Sequence, residues 1–132
     1  MVHVVRYGVV NAPAEKVWEI VGDFDGLPEW NPPIESSQPE TIDGIQHRRL
    51  KFSKGGEFFE RNMGTDGTSI GYQTLETNAP INGYVGAISV MDQGGKCILC
   101  WSSSFDSSEP GIADAVGSIY QAGIDTIVAK FA

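Results

Sequence analysis

Positive charge is scarce in this sequence. Nine lysines and arginines stand against 17 aspartates and glutamates, a formal net charge of −8 at pH 7. Nucleic acid and anionic membranes are held through basic patches, so neither is an expected partner. Long apolar runs are also missing, and no stretch approaches the ~18 residues a bilayer span needs. The N-terminus has no charged region followed by an apolar segment and a cleavage site, so a cytoplasmic protein is expected. Histidine is rare: His3 and His47 belong to no cluster with metal-ligand spacing, so no metal is expected and both read as surface residues. No serine or cysteine can be placed beside a histidine as an activated nucleophile, and no glycine-rich phosphate loop is present, so no cofactor is expected. The only cysteines, Cys97 and Cys100, form a C-x-x-C inside Lys96–Phe105. That segment reads as a strand, where positions three apart face opposite sides, so two ordinary cysteines are expected rather than a disulfide or a shared metal.

What the chain does have is glycine and regular apolar patterning. Sixteen glycines in 132 residues are nearly twice the usual share of about 7%. Several fall inside strands or the last helix, where they remove side-chain volume and favour a hollow interior. With 41% hydrophobic residues, the chain is long enough to bury a core as one domain, residues 1–132.

The last stretch, Gly111 to Phe131, organises the rest. Ile112, Val116, Ile119, Tyr120, Gly123, Ile124, Ile127, Val128 and Phe131 recur at steps of three and four, one apolar stripe on a helix. Pro110 fits its first turn, and Gly117 and Gly123, each about 1 kcal/mol worse than alanine in a helix, imply close packing, a kink or room for something else. Ahead of it, Val2–Val10 is a β-branched strand. Pro13 opens a short helix whose inward face is Ala14, Val17, Trp18, Val21 and Phe24, and Leu27–Trp30 forms one more turn. Strands then follow over Ile34–Ile42, Gln46–Phe52, Glu57–Met63, Thr68–Thr77, Asn82–Met91 and Lys96–Phe105, separated by Asp-Gly, Gly-Gly and Asn-Ala-Pro breaks. The prediction is α+β: a curved antiparallel sheet of about seven strands around a long C-terminal helix, with two short helices after strand 1.

Ala12-Pro13-Ala14-Glu15-Lys16-Val17-Trp18, Val21-Gly22-Asp23-Phe24, Trp30-Asn31-Pro32 and Ile34-Glu35-Ser36-Ser37 together resemble the opening of the START-like (SRPBCC) superfamily. The likeness is to its polyketide cyclase/dehydrase-like branch, and it continues in Glu60-Arg61, Asn82-Gly83-Tyr84 and Trp101 through Phe105-Asp106. The resemblance implies a helix-grip domain with a ligand cavity between sheet and helix. The superfamily spans lipid carriers, plant hormone receptors, aromatase/cyclases and a lyase, so fold alone does not fix activity. The receptor branch is disfavoured, because the turn Ser53-Lys54-Gly55-Gly56 is too short to close as a gating loop.

Strand alternation selects the polar groups that face such a cavity. Leu50 and Phe52 bring Arg48 inward and leave His47, Arg49 and Lys51 in water. For Glu57–Met63 two parities compete. The resemblance turns Glu60 inward with Phe58 and Asn62, whereas hydrophobicity alone prefers Phe59, Met63 and Arg61. A three-residue loop with a glycine bulge at Gly55 or Gly56 would set Arg48 opposite Glu60. The resemblance also implies that Glu35, Tyr72, Tyr84 and Trp101 line the pocket. Ser102, Ser103 and Ser104 read as strand residues of which one or two reach it, Ser103 first, and Tyr120 is expected there from the helix. Expected roles follow from separating two carboxylates by environment: Glu60 as base or acceptor, Arg48 as its orienter or an oxyanion clamp, and Glu35 or a tyrosine as acid. The expected partner is one small hydrophobic or aromatic ligand, bound by a monomer or weak homodimer. Two functions remain open: cofactor-free cyclase, dehydratase or lyase chemistry, and non-catalytic carriage. An Arg–Glu pair that merely ties two strands together is the plainer alternative for the charges.

Overall fold

The computed structural model describes residues 1–132. Strand β1 (Val2–Val10) is followed by helices α1 (Ala14–Val21) and α2 (Leu27–Trp30). Six strands come next: β2 (Ile34–Ile42), β3 (Ile45–Phe52), β4 (Glu57–Thr65), β5 (Ser69–Thr77), β6 (Asn82–Asp92) and β7 (Cys97–Asp106). The chain ends in α3 (Ile112–Lys130). Strands β2 to β7 form a meander and β1 pairs with β7, giving one antiparallel sheet in the order β1-β7-β6-β5-β4-β3-β2. This is the expected α+β helix-grip arrangement, a seven-stranded curved sheet holding α3 on its concave side.

Local chemistry explains most boundaries. Asp43 and Gly44 both have positive φ (52° and 78°), the two-residue turn whose twist matches a hairpin, and it sets Ile42 opposite Ile45. Between β3 and β4 the loop is Ser53 to Gly55, closed by a 2.8 Å bond from Phe52 N–H to the Gly56 carbonyl. Gly55 supplies the positive φ of 97° that this loop needs. Pro13 lies one residue ahead of α1, and Pro110 is not in the first turn of α3 as the sequence suggested. The helix begins two residues later, and Gly111, at φ 76°, is the residue that turns the chain into it. Neither member of the cysteine pair is bonded: Cys97 is buried and Cys100 faces the other side of β7.

The interior glycines make seats for side chains. A Cβ on Gly8 would meet Ile124 of α3 at 2.7 Å, one on Gly86 would meet the Tyr72 hydroxyl at 2.6 Å, and one on Gly123 would meet Trp30 at 2.8 Å and Asn31 at 3.1 Å. Gly22 receives Trp18 and Gly117 receives the Arg6 guanidinium in the same way. The volume that glycine removes is therefore refilled by neighbours, which corrects the expectation of a hollow core: the interior is mostly solid. Of the explanations open for Gly117 and Gly123, close packing is the one that holds.

His47 is a second correction. Parity points it to the convex side, as expected, yet it is buried there rather than in water. Its ring stacks on Phe59 (5.4 Å, 22°), and the Arg49 guanidinium covers that phenylalanine at 4.1 Å.

Candidate functional site

Arg48 and Glu60 face each other across β3 and β4, and only 2% and 3% of each is exposed. Arg48 Nε donates to Glu60 Oε1 at 3.0 Å and Nη1 donates to the Phe24 carbonyl at 2.6 Å. Arg48 Nη2 lies 2.8 Å from the same Oε1, but off the line of a hydrogen bond, so this buried donor lacks an aligned acceptor. Glu60 Oε2 accepts from Thr74 Oγ1 at 3.0 Å. A register shift between Phe59 and Glu60 sets Thr74 opposite the carboxylate. The guanidinium is flanked by the rings of Phe24 and Tyr72, 4.1 and 4.8 Å from its carbon. Taking two charges out of water costs several kcal/mol per ion, offset here by mutual attraction and by these contacts.

Beside the pair lies a cavity of about 40 Å³ between the sheet and α3. Arg48 and Glu60 are its only charged walls. Leu27, Ile34, Leu50 and Ile81 form one apolar flank, Val116 and Ile119 of α3 another, and Phe52, Phe58, Tyr72, Tyr84, Trp101 and Tyr120 supply aromatic surface. Among these Phe52, Phe58 and Ile119 are only half-buried, and they mark the mouth. The space suffices for a water or two, whereas a cavity that takes benzene measures about 150 Å³ and ligand pockets start near 300 Å³. A small aromatic guest therefore requires side chains to move.

The polar floor opposite the ion pair is a chain of hydroxyls. Trp101 Nε1 donates to Tyr72 Oη at 2.7 Å, Tyr72 Oη lies 2.9 Å from Tyr84 Oη, and Tyr84 contacts Tyr120. Tyr120 in turn donates to Ser103 Oγ at 2.8 Å. Each phenol has one proton, so the last bond fixes the others: Tyr84 donates to Tyr120 and Tyr72 donates to Tyr84. Burial pushes the Tyr72 hydroxyl up to about 12, helped by the Glu60 charge, and pushes Tyr84 and Tyr120 well above the usual phenol range. All three stay neutral donors in ordinary conditions. Trp101 stacks on Tyr120 at 4.4 Å and 11°, with Trp30 against its side at 5.4 Å, so Trp30 belongs to packing.

Placed against the sequence reading, Arg48, Glu60, Leu50, Phe58, Tyr72, Tyr84, Trp101 and Tyr120 come together around the cavity. Three expected residues do not. Glu35 is exposed, just where a register shift between Ile34 and Ser36 breaks the strand's alternation, so it is no acid for this cavity. Asn62 shares the concave side with Tyr72 but lies past the cavity, donating to Gln46 Oε1 at 3.0 Å. Ser103 is buried behind Tyr120 and reaches the cavity only through that hydroxyl. Thr74 and Phe24 were missed. Thr74 has the parity of Tyr72 and could have been found by alternation, whereas the contribution of Phe24 is a backbone carbonyl, which no residue type announces. Nearby, burial raises the Asp25 carboxyl, and the Asp23 charge adds to this while Arg48 opposes it. No three His, Cys, Asp or Glu side chains converge as a metal site would require, and no helix is long and apolar enough to cross a membrane.

A concave antiparallel sheet closed by one long C-terminal helix is the START-like, helix-grip fold. Solved structures agree on the fold. XoxI from Bacillus cereus superposes with a TM-score of 0.89 at 24% identity, covering 99% of this chain and 96% of that one. A START superfamily protein from Mycobacterium smegmatis gives 0.81 at 17% identity, with 98% and 96% covered. The Zhui aromatase/cyclase from a Streptomyces species gives 0.75 at 20% identity, with 98% and 92% covered. No curated protein sequence matches the chain. Residues 1–132 match the family described as polyketide cyclase / dehydrase and lipid transport, and the chain belongs to that family.

Proposed function

We propose that the chain binds a small, flat, mostly apolar molecule carrying an oxygen acceptor and acts on it by cofactor-free acid–base chemistry of the cyclase, dehydratase or lyase kind. The observation that carries this reading is Arg48 Nη2, a buried donor with no aligned acceptor at the wall of an apolar cavity. A carbonyl oxygen of a guest would supply that acceptor, and the guanidinium would stabilise the enolate oxygen formed when an adjacent C–H loses its proton. Glu60 Oε2, bonded only to Thr74, is the base on hand, and Tyr72 or Tyr84, held neutral by burial, replaces Glu35 as the acid. A structural tie between strands needs no charges here, since buried ion pairs are often matched or bettered by apolar residues.

A second reading, non-catalytic carriage, draws on the engagement of both Glu60 oxygens and on the transport proteins within the family. The two separate on one experiment with 1-tetralone, a planar ketone with exchangeable α-protons. NMR in D₂O would follow exchange and binding together. The enzyme reading expects exchange above solvent background that falls by about 10²–10⁴ in Glu60→Gln while affinity changes little. Binding with background exchange selects carriage, and no perturbation by tetralone or 2-naphthol removes both.

A further inference from the structure

We infer that the convex side of the sheet is a self-association surface, and that its occupant is a second copy of this chain. Alternation puts His3, Val5, Tyr7 and Val9 of β1 on this side, together with every second residue of β7, β6 and β5. Formal charge is confined to its rims, Asp106 at the end of β7 beside the N-terminal ammonium and Glu76 opposite Phe59 at the end of β5; the middle of the face carries none, in a chain that is 20% charged. The large side chains are left in solvent: Val5 54%, Tyr7 67%, Val9 57%, Val85 46% and Met91 61% exposed. No helix covers them, because α3 lies on the opposite side of β1 against Gly8.

The shape is self-complementary. Val5, Tyr7 and Val9 form a ridge along the edge strand, and beside it a trough of about 280 Å³ runs over Ser102, Ser104 and Ala87 between Val5 and Val85. A two-fold axis that carries the ridge of each copy onto the floor of the other fills both troughs at once. Charge selects the same face. Two copies of net charge −8 repel, and a face whose centre carries no formal charge is where they meet with the fewest opposing carboxylates. Four strands of at least 9 residues each, spaced about 4.8 Å apart, cover roughly 30 by 19 Å, about 1,100 Å² for a pair. That just clears the ~1,000 Å² of a specific contact and falls below the ~1,600 Å² of a standard one, so the dimer is weak and reversible.

Sedimentation equilibrium of the intact chain tests this, at concentrations up to about 1 mM. Raising NaCl from about 0.01 to 1 M shortens the screening length from about 30 to 3 Å. The expected result is a monomer–dimer equilibrium that tightens with salt, weakens by about tenfold or more in Tyr7→Glu, and weakens likewise in Met91→Glu. Both positions are solvent-exposed, and circular dichroism matching the parent confirms that the variants fold. A chain that stays monomeric throughout, or a dimer that survives both substitutions, overturns the inference.

Discussion

Replacing the two charges separately and then together measures what the buried pair does for the fold. Glu60→Leu leaves the Arg48 guanidinium with the Phe24 carbonyl as its only hydrogen-bonded partner, and strands the Thr74 hydroxyl. Arg48→Met leaves the buried carboxylate with the Thr74 hydroxyl as its only partner and strands the Phe24 carbonyl. Removing one partner of a buried pair costs about 3–5 kcal/mol, so each single variant should lose that much. In Arg48→Met/Glu60→Leu no charge remains inside, and the two new side chains are compatible with Leu50 and Leu27 around them. The chief remaining defect is the Phe24 carbonyl without its donor, worth about 1–3 kcal/mol. The double variant should therefore be more stable than either single one, with a coupling of at least about 3 kcal/mol. Urea unfolding followed by circular dichroism and tryptophan fluorescence gives all four free energies. Costs that add within about 0.5 kcal/mol, or a Glu60→Leu loss below about 1 kcal/mol, would refute the reasoning, because only a solvated pair behaves so. A stable double variant without affinity for 1-tetralone would mark the charges as kept for a guest.

Three further outcomes follow from single contacts. Gly123→Ala gains about 1 kcal/mol of helix propensity, but its Cβ would press on Trp30 and Asn31, and overpacking costs about 1–3 kcal/mol; thermal unfolding should show no gain or a net loss. Asp66 Oδ1 accepts backbone bonds from Thr68 and Ser69 and hydroxyl bonds from both, which hold its carboxyl at about 2 against an ordinary 3.8. A lowered value means the turn's contribution is complete above pH 4 and fades as pH falls through about 2; carbon-detected NMR should find that midpoint, and Asp66→Ala should flatten the pH dependence in that window by this residue's share. The buried phenols carry the opposite sign: with Tyr72 at about 12 against 10 unfolded, their stabilisation is complete below pH 10 and lost towards pH 12. Phenolate absorbance from Tyr72, Tyr84 and Tyr120 should appear together with unfolding, and a chain that ionises all of them while fully folded contradicts their placement.

The order and type of elements were legible because each rests on local chemistry: period-two strands, proline breaks and Asp-Gly turns. The Arg48–Glu60 register was also within reach, since the loop length and Gly55 fix it. Glu35 was set in the pocket by the resemblance alone: alternation from the buried Ile34 already turns it outward, and the register shift beside it alters only the later parities on β2. The reading of glycine erred for another reason. A missing side chain says that something approaches closely, and only three dimensions tell whether it is a ligand or, as at Gly86 and Gly123, the protein itself. Thr74 lay within the rule and was overlooked.

The small volume beside the ion pair governs time as well as fit. A guest larger than the present space is admitted only by the fraction of molecules whose aromatic walls have swung aside, so observed affinity is the intrinsic affinity scaled by that fraction. Association should then be slower than collision and level off at the rate of opening as guest concentration rises. Trimming Phe58 at the mouth would quicken arrival and departure alike, a kinetic signature separable from any change in chemistry.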